Sequence, residues 1–82
     1  MKVSVTCFGV MREYLPDDAD GNRATVELAD DATAGDLVDA LGAPRRLVHA
    51  LLVDEVQGAL DLRLHEGAEV TLMPSFSGGI DD

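Results

Sequence analysis

One stretch of this chain repeats its apolar residues at helical spacing, while the segments on both sides of it alternate every second residue. Ala34, Leu37, Val38 and Leu41 recur in steps of three and four, which lines them along one side of a helix. Thr33 is a good N-cap. Asp36, three residues on, gives a capping-box-like start, although Asp is shorter than the usual Glu. Gly42 and Pro44 then stop the helix, so the spacing predicts it over 34–41. Upstream, Val3, Val5 and Cys7 alternate with Lys2, Ser4 and Thr6, the period of a half-buried strand. Val26 and Leu28 alternate with Thr25 and Glu27 in a second strand over 24–28, which pairs most simply with the first as a hairpin. Downstream, 47–53 is a continuous apolar run broken by His49 and Ala50 and closed by turn residues at Asp54-Glu55. A central buried strand is expected there. A short strand and an irregular passage are expected over 56–64, where Leu60, Leu62 and Leu64 alternate. His65-Glu66-Gly67 reads as a turn and 69–73 as the last strand. Hairpins at each end of one helix predict an α+β sandwich of sheet and helix, with the first and last strands parallel at its centre.

Eighty-two residues make one small domain, near the lower end of sizes that fold without disulfides or metals. The hydrophobic fraction of 46% is too high for a disordered chain. Cys7 is the single cysteine, so an intrachain disulfide is excluded. No run approaches the length of a membrane span, and the first residues lack the basic-then-apolar layout of a signal peptide. A soluble cytoplasmic protein is the expectation. Sixteen acidic residues against six basic ones give a net charge of −10. That balance disfavours nucleic acid and suits a basic docking surface on a protein partner. The excess of Asp over Glu, with Lys2 as the sole lysine, also fits solubility in a salt-rich cytoplasm. A single lysine leaves few amine sites for attachment to this chain.

Most residues with chemical potential read as structural. Cys7 falls on the apolar side of its strand, and the local sequence supplies no base or cation to make it a nucleophile. Arg12-Glu13-Tyr14-Leu15 has room for one helical turn before Pro16. Asp17, Asp18 and Asp20 lack the longer ligand set of a calcium loop and read as a solvated turn with Gly21-Asn22. Arg45-Arg46 is the densest basic site; it reads equally as an anion or partner contact and as a pair favourably placed near the helix end. His49 and His65, separated and without a nearby cysteine, make a poor zinc set.

The end of the chain reads differently. Val70, Leu72 and Met73 run into Pro74, which has no N–H to extend a sheet ladder. Beyond it stand Ser75, Phe76, Ser77 and the glycine pair Gly78-Gly79, followed by Ile80-Asp81-Asp82. The expected division is a folded domain over 1–74 and a flexible tail over 75–82. Glycine lacks Cβ, so such a tail fits a channel too narrow for side chains, as for delivery into another protein's active site. The alternative is a frayed terminus.

The segments Val5-Thr6-Cys7-Phe8-Gly9-Val10-Met11-Arg12-Glu13, Leu64-His65-Glu66-Gly67-Ala68-Glu69-Val70 and Met73-Pro74-Ser75-Phe76-Ser77-Gly78-Gly79 together resemble the MoaD/ThiS group of ubiquitin-like sulfur carriers. The pattern is similar to the small subunit of molybdopterin synthase. The resemblance spans nearly the whole chain and implies a β-grasp fold, a mixed sheet of four to five strands packed on one main helix. It implies a carrier rather than an enzyme. A ubiquitin-activating-type enzyme, using ATP and Mg, adenylates the terminal glycine carboxylate, which then becomes a thiocarboxylate. The carrier itself binds no cofactor and no metal. Its sulfur passes to a cofactor precursor on a molybdopterin synthase large subunit, or the activated glycine is joined to a target-protein lysine. Gly79 is the matching position. Gly78 lets the tail lie flat, Pro74 and Phe76 fix its exit, and Phe8 and Met73 match partner-facing apolar positions, although either also fits a core. Ser75 replaces a common second proline. Because Gly79 is followed by Ile80-Asp81-Asp82, the resemblance further implies removal of those residues by a protease, as zinc-dependent JAMM-type proteases do for some relatives. The alternative is a non-covalent β-grasp adaptor that keeps them.

Overall fold

The alternating run at the start of the chain forms β1 (Lys2–Cys7), with Val3, Val5 and Cys7 buried on one side. A computed structural model describes residues 1–74. The tail over 75–82, and with it the expected division at 74, lies outside the described residues. β2 (Arg23–Glu27) pairs antiparallel with β1, Val3 opposite Val26 and Val5 opposite Ala24. It begins and ends one residue earlier than the alternation predicts, leaving Leu28 beyond its end. Gly21 turns the chain with φ +66°, an angle that costs glycine little.

The helix α1 (Ala34–Leu41) has the predicted bounds. The Asp36 amide donates to Thr33 Oγ1 at 3.2 Å and the Thr33 amide to Asp36 Oδ2 at 2.9 Å, so the shorter Asp completes a capping box. Gly42 closes the helix at φ +80°. Leu37 and Val38 are fully buried against the inner side of the sheet, in one core with Val3, Val5, Cys7, Met11, Val70 and Leu72. Each such side chain stabilises the fold by about 1.5–3 kcal/mol.

β3 (Val48–Val53) and β4 (Val56–Gly58) form a hairpin closed by Asp54 and Glu55, with φ +53° and +73°. β5 (Glu69–Pro74) follows, and the sheet order is β2-β1-β5-β3-β4. β5 runs parallel to β1, with Val5 opposite Val70 and Cys7 opposite Leu72, and antiparallel to β3. The parallel pairing of first and last strands is as expected. The central strand, however, is β5. The 47–53 run lies one place further out, and only Leu51 and Val53 of β3 are buried. Ala50 and Leu52 lie on the side that α1 does not cover, which an unbroken apolar run cannot reveal.

The passage from Ala59 to Leu64 is irregular because its backbone caps the helix. The amides of Ala34 and Gly35 donate to the carbonyls of Leu62 (2.9 Å) and Leu60 (2.7 Å), satisfying donors that α1 leaves unpaired. Only Leu64 of the three alternating leucines is buried, while Leu60 is half-buried and Leu62 exposed. The single turn expected at Arg12–Leu15 is instead a 3₁₀ helix over Gly9–Tyr14, pinned by the buried side chain of Met11. Among the described residues, no helix is long and apolar enough to cross a membrane.

Candidate functional site

Val70 and Leu72 are buried, and alternation along β5 puts Thr71 and Met73 on the opposite, outward side of the sheet. The register carries the same side across β3, where Ala50 stands opposite Met73 and Leu52 opposite Thr71. On the other flank, Phe8 continues the extended backbone of β1 (φ −111°, ψ 157°), and its amide donates to the Leu72 carbonyl at 3.1 Å. Cys7 points inward, so Phe8 points outward in the row of Met73 and Ala50. The result is an apolar stripe of Phe8, Met73, Ala50 and Leu52 across the uncovered side of the sheet, at the end where β5 leaves it. Phe8 is 44% exposed and neighbouring Val10 43%. Met73, Ala50 and Leu52 of the stripe are half-buried.

Pro74 itself is buried and is the last residue of β5. It stands opposite Val48, across a register shift between Val48 and Ala50. The strand therefore runs one residue past the expected stop at Met73. A proline at the end of a ladder loses only a hydrogen bond that is not needed there.

The charged groups divide into structural pairs. Arg45 lies back along α1 over Gly35, with Nε on Asp39 Oδ1 at 3.0 Å, Nη2 on Asp39 Oδ2 at 2.8 Å, and Asp36 at 4.0 Å. Neither a free anion contact nor a pairing with the helix dipole describes it. From beyond the helix end, it pairs with two carboxylates of α1, Asp39 closely and Asp36 at the limit of an ion pair. His65 Nε2 meets Asp54 Oδ2 at 2.6 Å, and its Nδ1 lies 2.9 Å from the Glu66 carbonyl. The hydrogen bond to Asp54 raises the imidazole above its ordinary range, aided by the Glu66 carbonyl. The same contact, with the Glu69 amide on Asp54 Oδ1, lowers the carboxyl. Burial pushes the Cys7 thiol up to about 11, so it packs as a small apolar group and not as a thiolate. Among the described residues, no three His, Cys, Asp or Glu side chains gather into a metal site.

Of the residues singled out from the sequence, Phe8, Met73 and Pro74 come together at the exit of β5. Phe76, Gly78 and Gly79 lie outside the described residues. Val10, Ala50 and Leu52 escaped the sequence reading. The signal for the last two was present as a β-prone run without polar alternation, which reads as buried on both sides.

The Mut7-C ubiquitin family model matches residues 1–79. SAMP1 from Haloferax volcanii is similar in structure with a TM-score of 0.71 at 27% identity, covering 96% of this chain and 100% of that one. A second structure, of H. volcanii small archaeal modifier protein 1, gives 0.67 at 22% identity, covering 89% and 95%. A Pyrococcus furiosus protein described as molybdopterin converting factor, subunit 1, gives 0.65 at 19% identity, also covering 89% and 95%. The last two likenesses speak to the fold alone. No curated protein matches the chain. The mixed five-stranded sheet on one helix is thus a ubiquitin-like β-grasp, as the sequence resemblance implied.

Proposed function

The chain belongs to the Mut7-C ubiquitin family, and we propose on that premise that it is a carrier or modifier whose Gly79 carboxylate is the reactive group. The observation that carries this reading is the meeting of an apolar stripe with the exit of the central strand. A partner seated on Phe8 and Met73 lies beside Pro74, the last residue of β5, from which the end of the chain continues. The pattern Pro74-Ser75-Phe76-Ser77-Gly78-Gly79 then supplies the thin reactive thread.

The chemistry runs in balanced steps. A protease hydrolyses the bond after Gly79 and releases Ile80-Asp81-Asp82. A ubiquitin-activating-type enzyme, with ATP and Mg, joins the freed carboxylate to the α-phosphate and releases pyrophosphate. The carboxylate is a poor electrophile, and adenylation gives its carbonyl carbon a good leaving group. A sulfur donor at the sulfide level then displaces AMP and leaves a thiocarboxylate, or a target lysine displaces AMP and forms an isopeptide bond. The chain acts as a non-catalytic carrier and its partners do the chemistry. A molybdopterin synthase large subunit, a JAMM-type protease and target-protein lysines are the partners this reading names, and the cytoplasm is its compartment. The small modifier from Haloferax volcanii, similar over nearly its whole length, supports the modifier branch.

A second reading rests on the same apolar stripe, which needs no free carboxylate to bind a partner. In it the domain is a non-covalent adaptor that keeps its last three residues. Intact mass from cells separates the two. A chain ending at Gly79, with a fraction heavier by the exchange of one oxygen for sulfur, is the carrier's signature. A chain that always keeps Ile80-Asp81-Asp82 and is never adenylated leaves only the adaptor.

A further inference from the structure

The sheet has a bare edge at β2, and a groove lies beside it. β2 is the outermost strand on its side and pairs only with β1. Strands of an antiparallel pair bond each other at alternate residues. The Leu28 amide donates to the Met1 carbonyl at 2.8 Å and the Cys7 amide to the Asn22 carbonyl at 2.9 Å, so Ala24 and Val26 bond toward β1. The backbone groups of Arg23, Thr25 and Glu27 therefore face outward. Asp20 folds back onto Arg23, exchanging bonds of 2.8 and 3.2 Å, and closes that end of the edge. The amides and carbonyls of Thr25 and Glu27 have no partner among the described residues. Next to them, between β2 and the end of α1, lies a groove of about 570 Å³. Its apolar part is Tyr14, Leu15, Val26 and Leu41, all half-buried. Its charged residues are Glu13, Asp18 and Glu27, all exposed, and no basic side chain lines it.

We propose that this edge is a second docking site, which takes an extended basic segment of a partner protein as an added strand. A strand laid along Thr25 and Glu27 satisfies their backbone groups with its own, which a helix cannot do. Val26 stands opposite Val3, on the side of the sheet that α1 covers. Every second side chain of the added strand therefore falls over the groove, and aliphatic residues fit there. Three carboxylates without a lining cation, on a chain of net charge −10, select Lys or Arg for the rest of the segment. The same charge disfavours a second copy of this chain, whose edge carries the same carboxylates. The site shares no residue with the Phe8–Met73 stripe and needs no free Gly79 carboxylate, so it does not rest on the carrier reading.

The test titrates the whole chain, isotope-labelled for amide NMR, with a short end-blocked peptide alternating Lys and Val at low salt. Binding is expected to shift the signals of Tyr14, Leu15, Val26 and Leu41 and to slow hydrogen exchange at the Thr25 and Glu27 amides, while Phe8 and Met73 stay unmoved. The same peptide N-methylated along its backbone cannot build a ladder and is expected to bind at least about tenfold more weakly. A chain carrying Glu13→Lys with Glu27→Lys, both at exposed positions, is expected to lose at least about tenfold in affinity for the unmodified peptide. If that variant does not fold, an end-blocked peptide alternating Glu and Val decides the role of charge on the parent chain, where it is expected not to bind. The proposal is overturned if the Lys–Val peptide does not bind or shifts only Phe8 and Met73. Equal binding of the N-methylated peptide, of the Glu–Val peptide or to the charge-reversed chain overturns it too. So does a dimer of the parent chain, seen by sedimentation without peptide, that itself protects the Thr25 and Glu27 amides.

Discussion

Leu72 and Met73 are neighbours in the chain and serve opposite sides of the sheet. Leu72 is fully buried between α1 and the central strands, while Met73 faces outward beside Ala50. Truncating Leu72 to Ala removes buried atoms and leaves a cavity that close-packed neighbours fill only in part. A loss of about 2–5 kcal/mol is expected, read as a lower urea midpoint at unchanged slope. Met73→Ala is expected to cost about 1 kcal/mol or less and to weaken capture of the activating partner, measured by titration calorimetry. If Met73 belongs to the core alone, its truncation destabilises the fold without touching the partner. At this scale periodicity made Leu72 legible, because a strand alternates regardless of its neighbours. The role of Met73 was legible only through a resemblance, since an apolar residue facing out has the same letter as one facing in.

Beside the buried pair Val53 and Val70, a polar cluster joins the β3–β4 turn to the start of β5. Asp54 sits at a positive φ, accepts the Glu69 amide on Oδ1 and meets His65 on Oδ2, while its own amide donates to the Glu69 carbonyl at 2.8 Å. Both partners of the His65 ring are acceptors, so the ring satisfies them together only as imidazolium. Other charges nearby are Arg23, 3.7 Å from Glu69, and Glu66, whose side chain accepts the Lys2 amide. The folded-state value of His65 is raised, so its stabilisation is full below about pH 6.5 and is lost as pH rises through the raised value. That of Asp54 is lowered, so its contribution is present above about pH 3.9 and is lost as pH falls through the lowered value. The cluster should stabilise most between those limits. His65→Gln is expected to flatten the alkaline decline in a series of urea midpoints against pH, and an unchanged decline would remove the cluster from the account. The turn itself was legible as Asp54-Glu55, but its partner was not. His65 lies eleven residues away, and no local pattern joins the two. The same holds for Arg45, whose carboxylate partners are chosen by how the chain returns past α1.

Across the whole molecule the surplus of carboxylates acts as a field. A net charge of −10 on so small a body works against compactness and draws basic partners. Added salt screens both effects over about 10 Å at 0.1 M. Between low and moderate salt the midpoint of thermal unfolding is therefore expected to rise and the association rate with the activating partner to fall, the latter read by stopped flow. An association rate indifferent to salt would mean that the charge serves solubility alone.

Capping, periodicity and turn chemistry act within a few residues, so the sequence by itself determined α1, the alternating strands and the parallel pairing that hairpins at both ends of one helix require. It also carried the Pro74-to-Gly79 pattern, which no packing is needed to read. Which strand took the centre, which side of β3 stayed bare, and that Tyr14 and Leu41 share one groove were decided only when the chain closed on itself. Those contacts join residues far apart along the chain, and their free energy comes from shapes that exist only once the sheet and helix have been assembled.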